Sequence, residues 1–522
     1  MGVIRARSAE SVTETRPAHP RDRPRRGGGV YPRSVDLPAD TTAPATPPQA
    51  PRGSASEPAD AAARTTALVR RLVPTLLAVI ASLAYGMQGT QQFRHLVAKS
   101  WDLGIFTQLA RDYGELRAPI VPIKGDDVNL LGDHFHPILA LLAPVWWVWP
   151  SGEALLWTQA LLLGVSAIPL TRLAIDRLGP ALGSLAGGAY VVSFGLQAAA
   201  SVQFHEIAFA VPLLALSLTA LLRGRVLPAI LWAAPLVLVK EDLGLTVAML
   251  GVVIALRHRA HRAEGIGLAG WGAGWFLLST FVILPLLNTA GQYDYTDNLG
   301  SPLEVLWPPA KWILVLMLLL AAGVIGARSP LILLLLPTLA WRFAGTVDFY
   351  WSWGWHYDAL LMPIVLAAML DALGDRRTGR ATAWARRDAP IPVARIRVTA
   401  VAASAAVTLM LGGAMPVLDV VRPDQWEPTW RAEPAASALE AVPDGDVLAV
   451  DITLMAHAVP DHDVQWIHGP NQRVPDCVLS DDYAFSWADG PPEDIADWAQ
   501  QTWGTDFETV HEEGGFRVAC RP

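Results

Sequence analysis

The sequence predicts an all-α polytopic membrane protein with about eleven transmembrane helices, followed by a small extracytoplasmic α/β domain. Hydrophobic residues make up 52% of the 522 residues, and charged residues make up only 17%. That balance is more apolar than in ordinary soluble proteins. Between the apolar segments, arginine clusters alternate with short clusters of acidic, histidine and aromatic residues. Composition and alternation together exclude an ordinary soluble domain.

The alternation of charge also predicts the topology, and we name the second kind of segment the polar clusters. Lys and Arg mark cytoplasmic loops, so all five polar clusters are placed at the extracytoplasmic face, as parts of one site. The arginine clusters lie at residues 70–71, 172–177, 223–225, 257–262, 328 and 376–397. The polar clusters lie at residues 101–106, 132–137, 204–206, 240–242 and 356–358.

Residues 1–62 combine Arg, Pro, Ser and Ala with almost no large apolar residues. Such a segment cannot bury a core, so we expect a disordered, basic cytoplasmic tail. It lacks an apolar h-region and is therefore not a cleavable signal peptide. Binding of lipid headgroups by this tail is the alternative.

The membrane domain is predicted over residues 63–418. Several of its apolar segments are shorter than the ~20 residues of a full span, so neighbouring polar residues would lie at membrane depth. Residues 138–149 predict an interfacial or re-entrant segment, with Trp146, Trp147 and Trp149 at headgroup level. The predicted spans are 72–89, 153–171, 181–200, 207–222, 226–239, 243–256, 265–288, 311–327, 330–345, 359–373 and 398–418.

An odd number of crossings from a cytoplasmic N-terminus places residues 419–522 outside the cytoplasm. This acidic tail contains five Arg, no Lys and twenty-one Asp and Glu, a formal charge of −16 against −8 for the whole chain. Cys477 and Cys520 permit one disulfide and argue against a cysteine-based metal site. Apolar runs predict strands at 447–450, 464–467 and 477–479 and a helix at 493–501.

Asp102 and Asp133 are the candidate catalytic residues. A carboxylate at Asp102, in the first extracytoplasmic loop, could accept a proton from a sugar hydroxyl, as a general base does. The alternative is that Asp102 caps a surface helix. Asp133, His134 and His136 lie within four residues, dense enough to bind a phosphate or a divalent metal. A structural turn is the alternative for that segment.

Ionisable residues at membrane depth predict function, because their burial is costly. His205 and Glu206 are a candidate proton-relay pair, with a polar elbow as the alternative. Lys240 is one of only four lysines in a chain rich in arginine. We expect its ammonium to bind a phosphate or the neighbouring carboxylates, Glu241 and Asp242. A plain turn between two helices is the alternative.

His356 and Tyr357 complete the candidate substrate-binding residues. Trp351, Trp353 and Trp355 precede them, with flat faces of the kind that stack on sugar rings. A tryptophan belt at the membrane interface is the default interpretation of those three side chains. The expected partners are membrane lipids, and nothing in the sequence indicates a nucleic acid.

The polar clusters also carry a resemblance. The segments WDLGIFTQ, GDHFHPILALLAPVWWVWP, FHEIAFAVP, KEDLGL and HYDALLMP, in this order and spacing, resemble the predicted membrane proteins of the DUF2079 family. The similarity extends over roughly residues 72–480. That family is grouped with the glycosyltransferase-C (GT-C) superfamily, membrane enzymes that take a sugar from a polyprenyl-phosphate carrier outside the cytoplasm.

The resemblance implies a GT-C-like fold, a polyprenyl-phosphate-linked sugar donor and a cell-envelope acceptor at the plasma membrane. An acidic residue in the first outside loop is the usual catalytic or metal-associated residue of that superfamily, and Asp102 holds that position. A divalent cation therefore stays open as a cofactor. A transporter or flippase and a non-catalytic envelope scaffold are the alternatives, and the lack of a sequence repeat argues against the transporter.

Overall fold

The computed structural model describes residues 57–292, 298–301, 303–374, 392–413 and 415–522. The predicted tail over residues 1–62 therefore falls almost entirely outside the described residues. Pro58–Pro522 forms one compact unit that includes both the apolar helices and the C-terminal sheet.

The apolar region is built from helices. In chain order, the helices before the C-terminal domain are α1 Glu57–Arg94, α2 Asp102–Gly114, α3 Ala143–Val148, α4 Gly152–Leu178, α5 Pro180–Val191, α6 Phe194–Ser201, α7 Ile207–Leu222, α8 Val226–Ala233, α9 Leu243–Arg257, α10 Arg262–Leu278, α11 Leu284–Leu287, α12 Ala310–Ala321, α13 Leu335–Ala344, α14 Leu361–Leu373 and α15 Val393–Gly412. Short 3-10 segments join several of them, and a π-helical turn, Ser279–Ile283, joins α10 to α11.

Helices form at every apolar stretch that the sequence predicts as a span. Among the described residues, six helices are long and apolar enough to cross a membrane, and six shorter apolar helices accompany them. These are the features of a polytopic membrane protein, whereas the count of eleven crossings stays a prediction. The six long helices are Arg64–Arg94, Gly152–Leu178, Pro180–Ser201, Arg259–Leu287, His356–Leu373 and Val393–Gly412.

Local differences from the prediction have physical causes. The predicted span at 181–200 is interrupted between α5 and α6, where Val192 and Ser193 leave the helical backbone conformation. Trp146 is buried, because it packs against Gly114 of α2 instead of facing headgroups. Trp147 and Trp149 are exposed, as expected of an interfacial segment.

Three helices begin at a polar cluster and run towards an arginine cluster. α7 begins directly after Glu206 and ends before Arg223. α9 begins directly after Asp242 and ends at Arg257, and α14 follows the 3-10 turn His356–Asp358. Because helix residues advance about 1.5 Å each, the two kinds of cluster lie at opposite ends of these helices.

The arginine ends are joined by buried acidic side chains. Asp371 of α14 accepts two hydrogen bonds from Arg257, at 2.6 and 2.7 Å, and one from Ser329 Oγ at 2.7 Å. Arg177 NH1 lies 4.0 Å from the same carboxylate. These contacts fasten α4, α9 and α14 together at one end. The neighbouring Asp176 forms ion pairs with Arg70 and Arg223.

Helices α9 and α10 pack closely because glycines face each other across the pair. A Cβ atom placed on Gly251 would lie 2.3 Å from the backbone nitrogen of Ala269, and one on Gly272 would lie 2.4 Å from the carbonyl oxygen of Gly244. Small residues at such positions let helix backbones approach, as they commonly do within membranes. A side chain at either glycine would separate the two helices.

The C-terminal domain contains a five-stranded sheet of order β2-β1-β3-β5-β4. β1 pairs in parallel with β2 and β3, whereas β5 pairs antiparallel with β3 and β4. A disulfide joins Cys477 to Cys520 across β3 and β5. The elements are α16 Ala432–Glu440, β1 Val447–Val450, α17 Met455–Ala458, β2 Asp463–Trp466, β3 Cys477–Asp481, α18 Ile495–Trp503, β4 Glu508–Glu513 and β5 Phe516–Cys520.

Helix α2 is a buried connector between the two regions, not the surface helix that the alternative reading of Asp102 requires. Nine of its thirteen residues are buried, and the other four are partly buried. Gln108 donates a hydrogen bond to the carbonyl of Val464 in β2, at 2.9 Å. Arg111 donates to the carbonyls of Val459 and His462. The sheet is thus fixed onto the membrane region through α2.

Candidate functional site

Most of the predicted site residues line a single cavity of about 540 Å³. The exceptions are Glu241 and Asp242, which line a smaller neighbouring cavity of about 270 Å³. The structure therefore brings the polar clusters together, as the charge alternation predicts. The predicted residues in the larger cavity are Asp102, Asp133, His134, His136, His205, Glu206, Lys240, His356 and Tyr357.

Asp102 is the first residue of α2, and its side chain does not cap that helix. Its Oδ2 atom accepts a hydrogen bond from Ser100 Oγ at 2.5 Å and lies 3.3 Å from His205 Nε2. Among the described residues, Oδ1 has no hydrogen-bond partner. One carboxylate oxygen is thus held by the protein and the other is left for a ligand.

Burial raises the pKa of Asp102. The hydrogen bond and the charge of His205, together with Ser100 and Lys124, lower the pKa by a larger amount. The net pKa lies below the ordinary aspartate value. The carboxylate is therefore ionised at neutral pH, as a proton acceptor must be.

His205 joins two polar clusters. Its Nε2 faces Asp102, and its Nδ1 lies 3.3 Å from the carbonyl of Gln203, a group that can only accept. If Nδ1 donates there, a proton must lie between Nε2 and the carboxylate for that contact to be favourable. The imidazole also stacks on His356, with ring centroids 3.7 Å apart. His205 therefore links the carboxylate of Asp102 to the backbone at Gln203.

Lys240 lines the same cavity and pairs with Glu206. Its Nζ is 2.8 Å from Glu206 Oε1, and both side chains are largely buried. An ammonium has three donors, so one carboxylate contact leaves donors for a second anion. The pair thus places a buried cation on the wall of a cavity that has room for a ligand.

Glu241 and Asp242 have structural partners. Glu241 accepts a hydrogen bond from His134 Nδ1 at 2.8 Å and one from the backbone nitrogen of Phe135 at 3.1 Å. Asp242 accepts a hydrogen bond from Trp341 Nε1 at 2.9 Å. Glu241 thereby fixes the polar cluster at 132–137 and orients His134 towards the cavity.

Asp133 forms an ion pair with Lys124, whose Nζ lies 2.7 Å from Oδ2. The same ammonium lies 5.7 Å from the centre of the Trp101 ring. Burial raises the pKa of Asp133, but His134 and Lys124 lower it more, and the net pKa is below the ordinary value. Asp133 thus lines the cavity with its charge balanced by Lys124, whereas Asp102 has one oxygen available for a ligand.

Sequence reasoning missed several cavity residues. Ser100 holds Asp102 in place, and Lys99 and Lys124 line the cavity beside Lys240. Three of the four lysines in the chain thus meet at one site, so the scarcity of lysine was the signal that could have found them. The C-terminal domain contributes Ile452, Trp466, Phe485 and Ser486, which no local pattern indicated.

The residues present do not fit a metal centre. Among the described residues, no group of three or more His, Cys, Asp or Glu is arranged to hold a metal ion. The acids that would be ligands already face cations or imidazoles, as Asp133 faces Lys124 and Glu206 faces Lys240.

Fold and cavity define a polytopic helical membrane protein whose α/β domain is packed over a polar cavity. The model of the DUF2079 family, described as a predicted membrane protein, matches residues 92–502. The chain therefore belongs to this family of predicted membrane proteins. The match includes all five polar clusters and most of the C-terminal domain. No curated protein matches the chain.

Proposed function

We propose that this protein is a GT-C-like glycosyltransferase of the plasma membrane. It transfers a sugar from a polyprenyl-phosphate donor to a cell-envelope acceptor on the extracytoplasmic face. Fold analogy alone is weak support for a reaction, so the proposal depends on the cavity itself.

The observation that carries the proposal is the arrangement of Asp102. Its carboxylate is held on one oxygen by Ser100 and His205 and is unoccupied on the other, in the cavity where Lys240 also lies. An oriented carboxylate and a buried ammonium in one cavity suit a reaction that removes a proton from one substrate and releases a phosphate from the other.

In the proposed reaction an acceptor hydroxyl attacks the anomeric carbon of the donor sugar. A new bond forms between that carbon and the acceptor oxygen, and Asp102 takes the hydroxyl proton. The bond between the anomeric carbon and the phosphate oxygen breaks, and its electron pair leaves with the polyprenyl phosphate. Phosphate is a stable leaving group, so the protein supplies mainly position, a base and positive charge.

Positive charge for the phosphate comes from Lys240 and from helix ends. The N-termini of α7 and α9 follow Glu206 and Asp242, and α14 follows the turn His356–Asp358. Helix N-termini carry partial positive charge and favour anions. Their convergence offsets the acidic residues of the cavity and favours a phosphate near Lys240.

The smaller cavity offers a place for the apolar chain of the donor. It shares His134, Lys240, Tyr350 and Tyr357 with the larger cavity. Its remaining walls are largely apolar and include Leu245, Phe276, Leu299 and Trp341. A lipid phosphate with its head beside Lys240 would have its chain in apolar surroundings.

The proposed topology places the arginine clusters in the cytoplasm and the C-terminal domain outside. The disulfide between Cys477 and Cys520 supports this, because disulfides persist in oxidising compartments and are rare in the cytosol. The contacts of Arg177 and Arg257 with Asp371 support a common face for two arginine clusters.

Asp102→Asn tests the proposed reaction. The amide keeps the size of the side chain but removes nearly all its basicity, and loss of a general base costs about 10²–10⁴-fold in rate. Membranes containing either form, at matched protein levels, would be given polyprenyl-phosphate sugars that each carry one radiolabelled pentose or hexose. Transfer of label to the envelope polysaccharide of a deletion strain is the measurement.

Asp489→Asn is the matched control, because Asp489 is an exposed residue of the C-terminal domain outside the cavity. We expect parental transfer from this control. Full transfer by Asp102→Asn would show that Asp102 is not the base and would direct attention to Asp133. No transfer by the parent from any donor would favour the transporter or the scaffold.

A further inference from the structure

The C-terminal sheet forms part of the wall of the cavity. Ile452 lies just after β1, Trp466 is the last residue of β2, and Phe485 and Ser486 follow β3. All four residues line the cavity that contains Asp102. Three parallel strands therefore present their carboxyl ends to the proposed reaction site.

That edge of an α/β sheet is where ligands characteristically bind. The chain places β2 on one side of β1 and β3 on the other, which makes a topological switch point between β1 and β3. In open α/β sheets, ligands bind outside the carboxyl ends of the strands at such a point. In this protein the crevice is part of the cavity that contains Asp102.

The side chains at this edge are aromatic. Trp466 contacts Trp101 edge to face, with ring centroids 5.1 Å apart. Phe485 is 66% exposed although it lines a cavity. An exposed aromatic ring beside a polar site is an unsatisfied apolar surface, which the apolar face of a sugar ring would cover.

Hydrogen bonds to the sheet fix the position of the loop that contains Phe485. Asp451, at the end of β1, is fully buried and accepts hydrogen bonds from Ser486 Oγ and from the backbone nitrogen of Asp481. Trp487 Nε1 donates to the carbonyl of Asp481 at 3.1 Å. The position of Phe485 is thus fixed before a ligand arrives, which lowers the entropic cost of binding.

A polar cleft of about 600 Å³ adjoins the same cavity through Lys124 and Asp133. Residues 125–129 form one side, and Pro470 and Gln472 of the C-terminal domain line the other. This cleft is mostly polar, whereas the small cavity beside Lys240 is mostly apolar. The polar cleft therefore suits a hydrophilic ligand, and the apolar cavity suits a lipid.

We infer that the C-terminal domain binds the acceptor, and that the acceptor is a carbohydrate chain with its terminal ring at Trp466 and Phe485. The inference rests on the proposed function for the identity of the second substrate. It assigns to the C-terminal domain a share of the site, in place of a scaffold role. The hydroxyl of that ring then faces Asp102, and the rest of the chain leaves through the polar cleft.

Direct binding tests this assignment without any turnover. The full-length protein in nanodiscs is titrated with the soluble envelope polysaccharide fraction of a deletion strain, and binding is followed by biolayer interferometry. Phe485→Ala and Trp466→Ala are each expected to weaken binding about 10-fold, which corresponds to loss of about 1.4 kcal/mol. Because Phe485 is largely exposed, its replacement should not affect folding.

Tyr483→Ala is the matched control. Tyr483 belongs to the same loop and is 64% exposed, but it packs against Trp430 outside the cavity. Trp466→Phe is a second variant that keeps an aromatic ring at a position where alanine would also remove packing against Trp101. We expect the Tyr483 variant to bind as the parent does and the Trp466→Phe variant to lose less than Trp466→Ala.

Equal binding by Phe485→Ala, Tyr483→Ala and the parent would overturn the inference, as would a parent that does not bind the polysaccharide. If binding depends on Phe485 but no polyprenyl-phosphate sugar is turned over, the domain binds carbohydrate and the proposed transferase reaction is wrong. If sugar is transferred but binding is insensitive to Phe485, the reaction stands and the acceptor site lies elsewhere.

Discussion

The two ends of α9 and α14 contain the same kinds of charged residue in opposite arrangements. At the arginine end, both oxygens of Asp371 are occupied by Arg257, with Ser329 and Arg177 close by. At the cavity end, Asp102 keeps one oxygen without a partner among the described residues. Charge alone therefore does not distinguish a structural site from a functional one.

The two sites differ in how many hydrogen bonds the carboxylate already accepts and in whether a cavity lies beside it. The carboxylate of Asp371 is enclosed by helices α4, α9 and α14, so its hydrogen bonds are spent on holding those helices together. Around Asp102 the chain leaves a cavity of about 540 Å³ and supplies a cation, Lys240, within the same walls. Binding energy can be used for a ligand only where the protein has not used it already.

Labelling of introduced cysteines tests whether the two ends of these helices lie on opposite sides of the membrane, and it has the largest expected effect. Both native cysteines are in the disulfide, so the parent should not react with a thiol reagent. In sealed cells, an impermeant maleimide should modify Asp489→Cys but not Arg225→Cys. After the membrane is permeabilised, Arg225→Cys should react as well. Equal reaction of both variants before permeabilisation would place the two ends on one side of the membrane.

Asp371→Asn tests the structural end. Removing one partner of a buried ion pair costs about 3–5 kcal/mol, and we expect the low end because Arg257 is 31% exposed. The variant should have a lower Tm in detergent and a parental rate of sugar transfer per folded molecule. Asp176→Asn is the control, with a loss of about 0–1 kcal/mol, since Asp176 is itself 17% exposed and its partners Arg70 and Arg223 are 45% and 32% exposed. A parental Tm for Asp371→Asn would contradict the structural role.

Lys240→Met tests the cavity end and has a smaller expected effect. Loss of a charged hydrogen bond to phosphate costs about 1.5–3 kcal/mol of donor binding. The measurement is retention of radiolabelled polyprenyl phosphate by the protein in nanodiscs. The single variant also leaves Glu206 buried without its cation, so part of any loss would come from reduced folding.

The double variant Lys240→Met/Glu206→Gln separates these effects. It removes the buried pair as a unit, so its Tm should recover relative to Lys240→Met while polyprenyl phosphate binding stays weak. Glu206→Gln alone keeps the ammonium and should bind at least as well as the parent. Parental binding by the double variant would make Lys240 a structural partner of Glu206 only.

The sequence predicts local features of the fold well. Strand β1 was predicted at its observed bounds, Val447–Val450, because four consecutive apolar residues are bounded by turn residues. Strand β4, Glu508–Glu513, was missed, because its charged side chains show no apolar alternation. The break at Val192 was missed too, since apolar composition continues through it.

The site was predictable where charge interrupts apolar sequence. Lys240 stands out for that reason, and the charge alternation predicts that the other polar clusters lie at the same face of the membrane. Phe485 and Trp466 were not predictable, because their roles depend on contacts with residues far away in the chain.

The sheet of the C-terminal domain has two outer strands with very different protection. β4 is exposed, but it bears Glu508, Glu512 and Glu513, and such charges discourage pairing with another molecule. β2 depends on α2, whose Gln108 occupies the carbonyl of Val464. A fragment of residues 419–522 alone would present β2 uncovered, a template for aggregation. Because α2 lies more than three hundred residues earlier in the chain, the protective partner has already been synthesised when β2 leaves the ribosome.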